Sequence, residues 1–181
     1  VTLLVKICGL TREQDVDAAV AAGADLVGFV LDPSSPRAVT AERARELAAR
    51  VPAGVRTVAV GADAEGLDLA QLYDPAEVDG RTIVATRGGP PDPLPDGLPV
   101  LLDLPFGSRP RRPELEAHWR VAATVRAPVV LAGSLDPANV AAAVRTARPW
   151  AVDTSRGVET APGVKDADLI ELFVRTAKAA S

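Results

Sequence analysis

The 181-residue sequence has one cysteine, one histidine and no methionine. A lone cysteine excludes an internal disulfide, so nothing in the chain calls for an oxidising compartment. No Cys/His/Asp cluster has metal-ligand spacing, and no metal is expected. Positive charge is not in excess. The formal net charge is −4, whereas a nucleic-acid partner would call for a basic face. No run of about 18 apolar residues occurs, so no membrane span is expected. The opening VTLLVKICG has no basic segment ahead of its apolar run and does not read as a secretory leader. The cytoplasm is the simplest location. Rossmann and P-loop fingerprints are absent.

What is present is β/α alternation. LLVKIC is a short β-rich run that ends at Gly9. TREQDVDAAVAAG follows at helical spacing, with Thr11 as candidate N-cap and Gln14 completing a capping box. DLVGFVL, VRTVAV, LDLAQLY, RTIVAT, PVLLDL, PVVLAG and WAVDTS read as seven further strands. Helical patterns follow strands 1, 2, 6, 7 and 8, with Thr40 as the second N-cap. The other three connections are too short or too rich in proline and glycine for a helix. Near-continuous apolar strands fit a parallel sheet covered on both faces. The expectation is one domain over residues 1–181, a (β/α)8 barrel whose middle helices are shortened or missing. If that leaves strands 3 to 5 bare, their outer face is a candidate homodimer surface.

In a barrel of this kind, chemistry gathers at the C-terminal ends of the strands. Strand 1 ends in Cys8, strand 2 leads to Arg37, strand 4 ends near Gln71 and Tyr73, and strand 6 ends in Asp103. Strand alternation puts Lys6 on the same inward face as Cys8, and Asp153 on neighbouring strand 8 is the obvious partner for it. A cationic Lys6 would raise the thiolate fraction of Cys8. Cys8 also reads as inert core filler, and Asp103 as a cap or the partner of a buried arginine. Two glycine-containing loops read as anion cradles. One holds Gly133 and Ser134, with Asp136 as a helix cap, and the other holds Ser155, Arg156 and Gly157. His118 lies inside a helical pattern, away from any strand end, as a surface or packing residue. Trp150 reads as core.

VKICGLT, GADLVGFVL with SPR, LAGSLDPANV and VDTSRGVETAPGVKD resemble the phosphoribosylanthranilate isomerase family. That resemblance implies a (β/α)8 barrel, an Amadori rearrangement without a cofactor, and a small phosphorylated substrate. Cys8 falls on the family's general base and Asp103 on its general acid. Arg37 falls on the arginine that binds the anthranilate carboxylate. Gly133, Ser134, Ser155, Arg156 and Gly157 fall on its phosphate loops. The chain departs from the family in reading QLYD for QLHG and AGS for AGG. It reads SRG for SSG, and PFGSRPRRP stands in place of a GGTG loop. Arg109, Arg111 and Arg112 there form either a cationic rim that attracts substrate or a solvated face. The departures leave open two further readings: an isomerase of another phosphorylated amino-sugar, and a non-catalytic phosphate-ligand-binding barrel.

Overall fold

The computed structural model describes residues 2–73, 75–105 and 107–181. Asp74 of QLYD and Phe106 of PFGSRPRRP lie outside the described residues. Eight parallel strands close into a barrel in chain order. They are β1 (Leu4–Cys8), β2 (Leu26–Val30), β3 (Arg56–Val60), β4 (Leu69–Tyr73), β5 (Thr82–Arg87), β6 (Val100–Asp103), β7 (Val129–Leu131) and β8 (Ala151–Thr154). The ring closes where β1 pairs with β8, with Lys6 opposite Asp153. Helices follow five strands, as the periodicity predicts: α1 (Glu13–Ala21), α2 (Ala41–Ala48), α3 (Arg112–Ala122), α4 (Val140–Ala147) and α5 (Ala167–Ala179). Between β8 and α5 come one 3-10 turn (Arg156–Val158) and a short antiparallel pair, β9 (Glu159–Ala161) and β10 (Val164–Lys165). None of these three was expected.

Period-two alternation divides the apolar residues into two cores. Outward residues such as Val5, Ile7, Phe29, Leu102 and Val152 pack under the helices with Trp119, Ile170 and Phe173. Inward residues such as Leu26, Val58, Leu69, Ile83, Leu101 and Val130 fill the barrel with Cys8. Full burial of each large side chain contributes roughly 1.5–3 kcal/mol, so a barrel built this way tolerates a few buried polar groups at one end.

From β3 to β6 the described residues hold no helix. Even so, the outward positions there are not bare. Ala59, Ala70, Thr82, Val84 and Thr86 are all buried, and Leu94 of the proline-rich segment packs on the outer core. Small outward side chains let extended segments cover what helices cover elsewhere. The condition for an exposed apolar dimer face on strands 3 to 5 is therefore not met.

Three local expectations change. Helix α1 starts one residue late, with Arg12 at the N-cap, because the Thr11 hydroxyl donates instead to the Gly163 carbonyl at 2.7 Å. Thr40 does cap α2, accepting from the Arg43 N–H. Trp150 precedes β8 and is only partly buried, packing on the inner core.

Candidate active site

Lys6 and Cys8 both point into the barrel, and both converge on Gly28 of β2. A Cβ at Gly28 would stand 3.0 Å from Cys8 Sγ and 3.2 Å from Lys6 Nζ. The absent side chain is what makes room for the pair. The Lys6 ammonium is fully buried. It donates to Asp153 Oδ1 at 2.8 Å and to Gln71 Oε1 at 3.0 Å. Burial alone would lower its pKa, but the charges of Asp153 and Cys8 outweigh burial and hold it up. Lys6 is therefore a permanent cation.

Burial pushes the Cys8 thiol above its ordinary range, and the opposing Lys6 charge does not overcome it. Lys6 acts on Cys8 in the expected direction, favouring the thiolate by its charge and its hydrogen bond, but burial outweighs it. Lys6 limits the rise in pKa without reversing it, since burial is the larger effect and Asp153 adds to it.

Asp103 ends β6, three strands round the ring from β1 by way of β7 and β8. Its Oδ1 accepts from the Leu104 N–H at 2.8 Å, and its Oδ2 accepts from the Tyr73 hydroxyl at 3.3 Å. Burial raises its pKa and the Asp153 charge adds to that. The Leu104 N–H, Arg87 and Tyr73 pull the other way without cancelling it. A carboxyl that holds its proton more readily than usual is suited to act as an acid.

Arg37 is held on one side by Glu159. Its Nε and Nη2 donate to Glu159 Oε1 and Oε2 at 2.8 and 2.6 Å. Glu159 also takes Lys165 Nζ at 2.7 Å. Burial would raise the Glu159 carboxyl, but these two cations hold it low. Gly9 lets the chain turn beside them, at φ +72, where a Cβ would come within 2.7 Å of Arg37 Cδ. Glu159 ends SRGVE and Lys165 lies in PGVKD, and neither is assigned a role from its motif.

The two anion loops meet. Gly157 sits against β7's loop so closely that a Cβ would stand 2.0 Å from the Leu135 carbonyl oxygen. The Thr154 hydroxyl donates to that same oxygen at 2.7 Å. Gly133 has φ +93 and Ser134 has φ +55, the latter a left-handed conformation that costs a non-glycine residue energy. Arg156 Nη2 reaches Ser134 Oγ at 3.4 Å. Helix α4 begins only at Val140. The helix therefore starts six residues beyond Ser134, and the candidate cradle is one of loop backbone. Asp136 caps the turn before α4, accepting from the Ala138 and Asn139 N–H groups. His118 is less remote than its helical setting implied. Its Nε2–H donates to the Ala132 carbonyl at 3.1 Å, immediately ahead of Gly133.

Arg111 and Arg112 stand at the start of α3, and Arg112 pairs with Glu116 at 3.0 Å. Among the described residues, no group of three or more His, Cys, Asp or Glu is placed to hold a metal. No described helix is long and apolar enough to cross a membrane.

Comparison with known proteins fits this geometry. A family model described as N-(5'phosphoribosyl)anthranilate (PRA) isomerase matches residues 5–79 and 116–176. The N-(5'-phosphoribosyl)anthranilate isomerase of Chromohalobacter salexigens is 42% identical over 199 residues, 94% of this chain and 92% of its own. A crystal structure of phosphoribosyl anthranilate isomerase with reduced 1-(o-carboxyphenylamino)-1-deoxyribulose 5-phosphate aligns at TM-score 0.77. It is 32% identical and covers 98% of this chain and 99% of that one. Another structure, of monomers generated from the dimeric isomerase of Thermotoga maritima, aligns at TM-score 0.76. It is 31% identical and covers 98% and 99%.

Proposed function

The chain belongs to the N-(5'-phosphoribosyl)anthranilate isomerase family. From that premise we propose that it converts N-(5'-phosphoribosyl)anthranilate to 1-(2-carboxyphenylamino)-1-deoxyribulose 5-phosphate, a step of tryptophan biosynthesis. The observation that carries the reading is an inward thiol and a proton-retaining carboxyl at the same end of one closed barrel. Asp103 gives its proton to the ribose ring oxygen as the C1′–O bond breaks, and the ring opens to a protonated Schiff base. Cys8, as thiolate, takes the proton from C2′, and the electron pair moves to give an enolamine. Tautomerisation of the enolamine yields the ketone. Lys6, fixed between Asp153 and Gln71, stabilises the thiolate while it exists. The substrate phosphate lies in the cradle of Gly133, Ser134, Ser155, Arg156 and Gly157. Arg37, held by Glu159 through Nε and Nη2, offers its Nη1 end to the anthranilate carboxylate.

The pH dependence follows from the two directions of shift. Burial raises both groups, Cys8 from the ordinary thiol value and Asp103 from the ordinary carboxyl value, and the carboxyl remains the stronger acid of the two. The productive pair, protonated Asp103 with ionised Cys8, is therefore a constant minor fraction between the two values. Below the Asp103 pKa the acid is already saturated and the thiolate keeps falling, so Asp103 sets the acid limb. Above the Cys8 pKa the thiolate is saturated and the protonated acid keeps falling, so Cys8 sets the alkaline limb.

Incubation with N-(5'-phosphoribosyl)anthranilate, followed by loss of its fluorescence and mass analysis of the product, tests the reading. Binding of the reduced product analogue without turnover would contradict it in favour of a non-catalytic barrel. Turnover of another phosphorylated amino-sugar alone would contradict it in favour of a different isomerase. Self-association is proposed on the strength of the dimeric Thermotoga relative. Sedimentation velocity at micromolar concentration tests that, and a single monomeric species would contradict it.

A further inference from the structure

We propose that Tyr73 and Arg87 form a positioning pair for the Asp103 carboxyl, a role that rests on Asp103 being the general acid. Alternation and register bring the three together. Tyr73 lies opposite Ala85, and Arg87 lies opposite Asp103. Tyr73, Arg87 and Asp103 end three neighbouring strands at the barrel mouth. The Tyr73 hydroxyl donates to Asp103 Oδ2 at 3.3 Å. The Arg87 guanidinium lies over the Tyr73 ring, 3.8 Å from its centroid. That is well within the distance at which a cation gains from an aromatic face.

Each partner has few other commitments. Among the described residues no carboxylate forms an ion pair with Arg87. Directly after Arg87 the chain turns sharply, with the Thr86 hydroxyl donating to the Gly89 carbonyl at 2.5 Å. Tyr73, Thr86, Arg87, Gly89, Pro90 and Pro91 line a recess beside the acid. Arg87 thus rests on the ring between a stiff turn and the carboxyl it faces. Arg87 and Asp103 both fall in residues 80–115, which the family model leaves unmatched. The family's glycine loop after strand 6 is also missing from this chain.

The ionisable groups facing Asp103 are Tyr73 from β4, Arg87 from β5 and Asp153 from β8, with Lys6 of β1 tied to Asp153. Burial pushes the Tyr73 phenol far up, with the Asp103 charge adding and Arg87 opposing. Tyr73 therefore remains a hydrogen-bond donor across the working pH range. A phenol that donates and a cation alongside both favour the ionised carboxyl. They keep Asp103 from becoming so weak an acid that it cannot release its proton, and they hold its plane still.

The test is kcat and KM against pH for the wild type, Tyr73→Phe, Arg87→Met and Arg87→Lys, with Asp103→Asn as the reference. Tyr73→Phe is expected to move the acid limb of kcat/KM upward by about 0.5–1 pH unit. It should lower kcat about 3- to 10-fold, with KM changed less than about twofold. Arg87→Met should move the limb the same way, and Arg87→Lys, which keeps the charge, should restore most of it. A lower melting temperature or lower activity with the acid limb unmoved would reduce the pair to a structural role and overturn the proposal. A raised KM with kcat and limb unchanged would make the pair a substrate contact, which also overturns it. If Asp103→Asn kept more than about half of the turnover, the acid assignment itself would fail, and the proposal with it.

Discussion

One side of the barrel, from β7 through β8 and β1 to β2, has a helix after every strand and two loops locked by backbone contact. The other side, β3 to β5, has none after any described strand. On the first side the key side chains are pinned by buried ion pairs: Lys6 to Asp153, and Arg37 and Lys165 to Glu159. On the second, Asp103 at its border has no ion pair; it accepts from the Leu104 N–H at 2.8 Å and from Tyr73 at 3.3 Å, with a cation lying on the tyrosine ring. The family model divides the barrel elsewhere: it matches residues 5–79 and 116–176, which takes in β3 and β4 and leaves out β5 and β6. The proposed binding groups are thus held by many-partner contacts, and the proposed acid by one backbone hydrogen bond and two adjustable side-chain contacts. A barrel can lose helices on the acid side because the strands there carry small outward residues, Ala59, Ala70, Thr82 and Thr86, that extended segments can cover.

Mutations that break the rigid side should cost most. Cys8→Ala removes the proposed base, and kcat should fall about 10²- to 10⁴-fold with the fold intact by circular dichroism. Retention of more than about half of the rate would remove Cys8 from the mechanism. Glu159→Gln leaves Arg37 and Lys165 without their shared carboxylate. Removing one member of a buried pair costs about 3–5 kcal/mol, so chemical denaturation should show a loss of that order at neutral pH. The sign with pH is fixed. Glu159 is held below its ordinary value in the folded state. It therefore adds stability above the unfolded carboxyl pKa of about 4.3, and that stability is lost as pH falls through the folded value. Wild type and Glu159→Gln should thus converge in stability on acidification, and a constant difference down to pH 3 would contradict this.

Gly157→Ala forces a Cβ to within 2.0 Å of the Leu135 oxygen, so the two anion loops must separate. Overpacking of this kind costs about 1–3 kcal/mol. Calorimetry should show weaker binding of the reduced product analogue along with lower stability. Unchanged affinity would detach the cradle from substrate binding. Ser134→Gly relieves the strain of φ +55 and should stabilise the fold by about 1 kcal/mol, seen as a rise in melting temperature. A fall would mean that the Ser134 hydroxyl contact with Arg156 outweighs the backbone strain. The smallest effect is expected at Arg111→Ala/Arg112→Ala. Arg112 is already paired with Glu116, and both arginines are exposed, where salt screens their field within about 10 Å. Measured from low to high salt, kcat/KM should differ between wild type and variant by less than about twofold. A much larger gap at low salt would restore the cationic rim.

How much of this was legible in the sequence depends on distance along the chain. Strand ends and alternation put Cys8, Lys6 and Asp103 at the mouth, because both are local rules. Asp153 was legible as the partner of Lys6 because β1 and β8 must be neighbours in any closed ring. Thr11 misled because its hydroxyl finds Gly163, 152 positions away. Glu159 stayed without a role because Arg37, which defines it, lies 122 positions earlier. The sign of the Cys8 shift could not be read at all. Sequence reveals that a lysine is near but not how much water is excluded, and here the exclusion is the larger effect. The Tyr73–Arg87–Asp103 contact needs the registers of two strand pairs at once, which spacing alone does not fix.

The most direct test is to measure, on the same preparations of wild type and Asp103→Asn, both turnover of N-(5'-phosphoribosyl)anthranilate and affinity for the reduced product analogue. If binding belongs to the rigid side and acid chemistry to the other, turnover should fall by about 10²-fold or more while affinity stays within about threefold. Turnover that survives the substitution, or affinity that collapses together with turnover, would contradict that division.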